Sequence, residues 1–259
     1  MSLTATDLEQ QFRAAGLDKG QTIMLHSSLS SLGHVAGGAE TVVSSLLRVL
    51  GPEGTLCVPN LVFRGSMTQF LRAHTRIDLC AMPSRNGTLT EAVRNHPLAR
   101  QSVHPSHPVS AIGRRRDELL RDHLCSRGPC GPESPWGKIA ATEGRIVLLD
   151  VDHACNTTLH VMEETTAPYI FLDEALEGIV IDRSGREHPY RVQAYVTDRA
   201  RTFGVVDAPL SEEGIQQMAS VGAATVRIID SPRMFTFCVA AVRKNPDWLA
   251  GKNRSEESP

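Results

Sequence analysis

The chain has 259 residues, 41% of them hydrophobic and 22% charged, which is enough apolar material for a well-filled core and too little length to require several independent domains. A formal net charge of −2 provides no global attraction to nucleic acid or to an anionic membrane surface, so neither is an expected partner. The amino-terminal MSLTATDLEQQ lacks the layout of a signal segment, no run of about 18 apolar residues occurs, and the six cysteines form no CxxC pair, which together predict a soluble, cytoplasmic protein with reduced thiols.

Thr4 or Thr6 can cap a first helix over roughly 5–15, with Leu8, Phe12 and Ala15 on one face and Gly16 as its stop signal. QTIMLH (21–26) reads as a short buried strand, and a loop of small polar residues and glycines follows over 27–38. Val42, Val43, Leu46, Leu47 and Leu50 then recur at helical spacing over about 39–50, and TLCVP (55–59) adds a second strand that completes a βαβ-like unit. Residues 60–85 have no clear period and set Arg64, Arg72, His74, Arg76 and Arg85 against the single acid Asp78, which predicts a long excursion over the surface.

Asn86 is the expected cap of a helix over about 88–95, residues 109–112 read as a strand, and Ser134-Pro135 is an N-cap followed by proline at the first helical position. RIVLLDV (145–151) is apolar enough for burial on both faces of a sheet, whereas EGIVIDRSGREHPYRV (177–192) reads as an antiparallel hairpin turning at Ser184-Gly185. The expected fold class is α/β: a mixed, largely parallel central sheet covered by helices, with a late antiparallel hairpin addition. One domain is expected over 1–250, with a polar, frayed tail over 251–259.

The segment DHACNTTLHVMEE (152–164) follows the central strand and opens a helix at about Thr157, so polar side chains gather where open α/β sheets bind ligands. On that helix Glu163 and Glu164 lie three and four residues after His160, both within reach of the imidazole. A carboxylate there fixes the tautomer of a base and stabilises its protonated form, and an amine attacking a thioester must lose a proton. The spacing alone equally describes a helix-surface pair worth only a few tenths of a kcal/mol.

A wider set of segments bears on that choice: HSSLSSLGHVAGGAE (26–40), GPEGTLCVP (51–59), MPSRNGTLTEAVRNHPLARQSVHPSHPVSAIG (82–113), SPWGKI (134–139), GRIVLLDVDHACNTTLHVMEE (144–164) and NPDWL (245–249). In order and spacing these resemble the aminoglycoside 3-N-acetyltransferase family, with its antibiotic N-acetyltransferase fold, over almost the whole chain. The resemblance implies transfer of an acetyl group from acetyl-CoA directly to an amine, without a covalent acyl-enzyme; no metal is expected, because no set of three ligands has a recognisable spacing. His160 and Glu163 stand at the family's TxxHxxE positions, which implies His160 as the base and Glu163 as its partner.

The resemblance also implies that the loop after the first strand receives the coenzyme. Backbone N–H groups around Ser28, Leu29 and Gly33 and the hydroxyls of Ser28, Ser30 and Ser31 can donate to phosphate and amide oxygens, while Leu32 and Val35 offer apolar contact to the pantetheine arm. Thr157 or Thr158 can donate to the thioester carbonyl, or serve simply as a helix cap. The implied partners are coenzyme A and a small-molecule amine, by default the 3-amino group of an aminoglycoside; a homodimer stays open.

Two departures from the family bear on the acceptor. Asp150 and Asp152 stand where glycine is usual near the end of the central strand, which predicts a reshaped loop. The arginine-rich 60–85 stretch is a poor lining for a polycation, although Asp78, Asp150, Asp152, Glu163 and Glu164 offer material for a local negative pocket, so a non-aminoglycoside amine is the alternative acceptor. Rival chemistries are a metal hydrolase drawing on His104, His107, His153, His160 and Glu163, a Cys155–His160 nucleophile, and a coenzyme-binding protein without catalysis. HPSHP lacks the helical HExxH arrangement, and five residues is an awkward helical separation for the cysteine and histidine.

Overall fold

A computed structural model describes residues 2–197 and 200–250; the expected tail over 251–259 lies outside them. The chain opens with helix α1 (Ala5–Ala14), whose N-cap Thr4 forms a reciprocal capping box with Asp7, followed by strand β1 (Thr22–Ser27), α2 (Gly38–Leu50) and β2 (Thr55–Pro59). The excursion that follows is more ordered than its sequence suggested. Ser66 caps α3 (Met67–Ala73), and Arg76–Asp78 forms β3.

Helix α4 (Thr88–Asn95) begins at Gly87, with φ of 100°, rather than at Asn86, because the Asn86 side chain is committed to the Leu61 N–H across the loop. Then come β4 (Arg100–Gln101), β5 (Val109–Gly113), α5 (Arg116–Leu120) and α6 (Pro135–Ala140), the last capped by Ser134 with proline at its start. The central strand β6 (Gly144–Leu149) leads to α7 (Leu159–Thr166). The chain continues through β7 (Phe171–Ile181), β8 (Glu187–Tyr195), α8 (Asp207–Glu212), β9 (Gln216–Val221), β10 (Ala224–Asp230) and α9 (Ser231–Lys244).

The main sheet has the order β4-β5-β2-β1-β6-β10-β9. Its centre, β2-β1-β6, is parallel, and antiparallel pairs extend it on both flanks, so the sheet is mixed as expected. Alternation along the central strands confirms burial on both faces: Ile23, Leu25, Val147 and Leu149 pack with α1 and α2, while Met24, Ile146 and Leu148 pack with α6, α7 and α9. The late hairpin is β7–β8, turning at Gly185 with φ of 85° while Asp182 accepts the Ser184 and Arg186 N–H groups. With β3 added in parallel, it forms a separate three-stranded sheet. No helix among the described residues is long and apolar enough to cross a membrane.

Candidate active site

The carboxyl ends of β1, β2 and β6 open onto one cleft of about 820 Å³, lined by His26 and Ser27 from β1, Pro59 from β2, and Ala154, Cys155, Thr157 and His160 from the segment after β6. Parallel strands fan apart at this end of a sheet, which is why ligands collect there. The excursion closes one side through Leu61, Phe63, Met67 and Arg85, and the segment after β8 closes another through Tyr195, Arg201 and Phe203.

His160 leaves α7 one residue into the helix and is partly exposed, while Glu163 is 1% exposed. His160 Nδ1 lies 2.6 Å from Glu163 Oε2, and Glu163 Oε1 lies 2.9 Å from Arg201 Nε. One buried carboxylate thus serves an imidazole and a guanidinium, which holds the ring in one orientation. The Tyr195 ring stacks on the imidazole with centroids 4.9 Å apart, and Phe203 meets it edge-on at 4.9 Å. Glu164, expected within reach of the same imidazole, turns to the other side of α7 and binds the Tyr195 hydroxyl and the Cys130 N–H instead.

A second pocket of about 490 Å³ adjoins the cleft and shares Ser27 and Gly87 with it. Ser28, Leu29, Ser30, Gly33 and Val35 line it, joined by Gly38 at the start of α2 and Thr88 at the start of α4. Both helices have glycine N-caps, Gly37 and Gly87, which make no side-chain cap hydrogen bond; the Gly38 N–H donates to the Val35 carbonyl, and the N–H groups that follow it in α2 and those that open α4 have no side-chain cap. That arrangement suits a pyrophosphate. Two expected loop contacts are corrected: Leu32 is buried against Val35 and Ala39 in the core, and Ser31 binds Ser28 Oγ and Asp150 instead of lining the pocket.

Thr157 lines the cleft, and neither it nor Thr158 caps α7 through its hydroxyl, so the simple cap reading fails. Asp150 adopts φ of 51°, the left-handed conformation that glycine takes freely and aspartate tolerates, so this departure from the family leaves the turn in a glycine-like shape. Its carboxylate accepts the Thr225 N–H, while Asp152 caps the short turn at Ala154. The expected negative pocket does not assemble: Asp78, Asp150, Asp152 and Glu164 all bind elsewhere, and only Glu163 meets His160.

The excursion's arginines are also redistributed. Arg72 pairs with Glu174 at 2.5 Å and Arg76 with Glu187 on the outer surface, Arg64 lines an adjoining hollow with Phe70 and His74, and Arg85, which borders that hollow too, is the one of the four that lines the cleft. The histidines of the rival metal reading are divided: His104 stacks on His123 at 4.5 Å and His153 bonds Gln216, whereas His107, bonded to Ser106, lines the same cleft as His160. Desolvation and the neighbouring Asp152 both hold the Cys155 thiol above its ordinary range, which opposes a thiolate nucleophile.

The sequence did not single out His26, Tyr195, Arg201 or Phe203. Burial and the nearby His153 push the His26 imidazole down to about 3, so it meets the cleft as a neutral ring.

Comparison with known proteins bears on this geometry. The family model for aminoglycoside 3-N-acetyltransferase matches residues 24–243. The chain belongs to the aminoglycoside 3-N-acetyltransferase family. Aminoglycoside N(3)-acetyltransferase VII of Streptomyces paromomycinus is 29% identical, covering 99% of this chain and 95% of that protein. The crystal structure of aminoglycoside acetyltransferase AAC(3)-Xa superposes with a TM-score of 0.80 at 28% identity, covering 96% of this chain and 94% of that one. AAC-IIIb, solved as a binary complex with CoASH, shares the fold with a TM-score of 0.78 at 22% identity over both full chains. The chain is accordingly an acyltransferase with an α/β fold of this family.

Proposed function

We propose that the chain transfers the acetyl group of acetyl-CoA directly to a primary amine, with the 3-amino group of an aminoglycoside as the acceptor and residues 1–250 acting as one acyltransferase unit. The observation that carries this reading is the His160–Glu163–Arg201 array at the mouth of the 820 Å³ cleft, next to a pocket faced by two glycine-capped helix starts. Family membership supplies the reaction class.

Glu163 holds His160 Nδ1, so Nε2 is the nitrogen that takes a proton from the amine as its lone pair attacks the thioester carbonyl. The new C–N bond forms and the C–S bond breaks. The imidazolium, stabilised by Glu163, then returns its proton to the departing thiolate, so the base is regenerated without a covalent enzyme intermediate. Thr157, which lines the cleft, donates its hydroxyl to the carbonyl oxygen in this reading. Serine hydroxyls and the α2 and α4 starts hold the coenzyme's phosphates. A cytoplasmic location fits the six cysteines, all free of disulfides.

A second acceptor reading has one observation in its favour. Among the described residues the cleft lining includes Arg85 and Arg201 and no aspartate or glutamate, which suits a neutral or carboxylate-bearing amine better than a polycation. The test is thiol release from acetyl-CoA over a panel of aminoglycosides and low-charge amines, with product mass and the acylated position determined. Highest kcat/KM on an aminoglycoside acylated at its 3-amino group supports the first reading, and preference for the low-charge amines supports the second. Coenzyme binding without turnover on any amine would defeat both.

A further inference from the structure

On α7, Glu163 and Glu164 are consecutive and point apart: the first serves His160, the second leaves the cleft and enters the loop that precedes α6. There Glu164 Oε1 accepts the Tyr195 hydroxyl at 2.5 Å and the Cys130 N–H at 2.7 Å. The RGPCG segment (127–131) is shaped to admit this carboxylate. A Cβ at Gly128 would lie 2.5 Å from Phe171 Cε1 and 2.7 Å from Glu164 Oε2, and one at Gly131 would lie 2.4 Å from Ser126 Oγ and 3.2 Å from Glu164 Oε2, so a larger residue at either position presses on the carboxylate together with its neighbour.

Tyr195, 8% exposed at the end of β8, reaches across from the other sheet. Its hydroxyl is tethered to residue 164 and its ring lies on the imidazole of residue 160, with an interplanar angle of 28°. The tyrosine therefore spans one turn of α7, about 5.4 Å of helix, from the tether to the stacked histidine. The Arg201 guanidinium lies 5.6 Å from the same ring, so the two groups that touch Glu163 both rest on Tyr195.

We infer that Glu164 and Tyr195 form a positioning pair for His160, in which the carboxylate fixes the tyrosine hydroxyl so that the ring holds the imidazole at the angle needed to meet the acceptor amine. Neither residue touches the reacting atoms in this role. An aromatic face against the imidazole also favours the imidazolium that forms during transfer. The inference rests on His160 being the base, and its test separates the two.

Tyr195→Phe keeps the ring and loses the tether; Glu164→Ala loses the acceptor. Each is expected to lower kcat by about 3- to 30-fold with KM for acetyl-CoA unchanged, because a misplaced base costs turnover without costing coenzyme contact. The double variant should be no slower than the poorer single one, since both cut the same link. Glu164→Gln still accepts a hydrogen bond from the hydroxyl and should stay within about threefold of wild type. Should Glu164→Ala fail to fold, Tyr195→Phe and Glu164→Gln alone carry the comparison. Losses that multiply in the double variant, a rise in KM with kcat intact, or an unchanged Tyr195→Phe each overturn the pair. His160→Ala is assayed alongside: activity retained there removes the base itself, whereas activity lost there with Tyr195→Phe and Glu164→Ala intact removes only the positioning role.

Discussion

His160, Glu163 and Glu164 occupy five residues of one helix and have three different environments. If His160 is the base, His160→Ala should lower kcat/KM by about 10²–10⁴-fold, or about 2.7–5.5 kcal/mol of barrier, while acetyl-CoA affinity measured by calorimetry stays within about twofold. Retention of more than about a tenth of the wild-type value would end that assignment. Glu163→Gln should fall between the two, because an amide still orients the ring but cannot balance its positive charge or that of Arg201. Glu164 predicts a different measurement. Burial pushes its carboxyl up to about 7, against hydrogen bonds from Tyr195 and Cys130 that favour ionisation, with Glu163 adding repulsion. A raised carboxyl holds its proton longer in the folded chain than in the unfolded one, so its contribution to stability is present below about pH 4.5 and is lost as pH rises through 7. The loss is roughly 2–3 kcal/mol. Urea unfolding at pH 5 and pH 8 should therefore show wild type losing ground to Glu164→Gln over that interval, and parallel pH dependence of the two would show the carboxyl to be ordinary.

At the level of elements, the sequence is most informative where neighbours in the chain are neighbours in space. The β1–loop–α2–β2 unit, the β7–β8 hairpin and the His160–Glu163 spacing are all set within short windows of hydrophobic period, turn chemistry and helical geometry. Tyr195, Arg201 and Phe203 were not legible because they reach His160 from 35 to 43 residues away, through the folding of β7 and β8 onto α7. Leu32 was misread for a related reason: an apolar residue in a polar loop reads equally as a ligand contact or as the anchor that pins the loop to the core. The β9–β10 pair and α9 were not assigned from sequence at all, although Asp230 followed by Ser231-Pro232 carries the same cap-then-proline signal used at Ser134. The element that most directly tests the coenzyme site is the 27–38 loop. Ser30→Asp places a negative charge beside the two glycine-capped helix starts, whereas Ser30→Asn is neutral and similar in size. The aspartate should weaken coenzyme A binding at least about tenfold, the effect of roughly 1.4 kcal/mol of lost charge complementarity, and the asparagine much less. Equal affinities for both variants would move the phosphates elsewhere.

Across the whole molecule, the two apolar clusters on either face of the central sheet make a rigid platform, and charged groups are arranged around its carboxyl edge, where the proposed acceptor would bind. Surface charge and cleft charge have to be separated before either is interpreted. Arg72 and Arg76 are on the outside, paired with Glu174 and Glu187 about a hundred residues further along the chain, which is why a count of arginines over 60–85 overstated the positive charge facing a substrate. Exposed pairs of this kind contribute about 0–1 kcal/mol and are screened by salt. Arg85 lies in the cleft wall, and a cationic acceptor bound there must approach it. At a separation of about 7 Å and an effective dielectric constant near 40, one like-charge contact costs roughly 1 kcal/mol, so reversing the charge is worth about 2 kcal/mol for each close cationic site. Arg85→Glu, assayed at saturating acetyl-CoA, should therefore raise kcat/KM for a polycationic aminoglycoside by about 5- to 30-fold relative to a neutral monoamine, and the gain should shrink as ionic strength rises. Arg72→Glu should leave that ratio within about twofold, because its charge is outside the cleft and already balanced. A change in Arg85→Glu that is the same for every amine, whatever its charge, would place Arg85 on the coenzyme side of the cleft, and an equal response to Arg72→Glu would show the preference to follow net charge instead of the cleft wall.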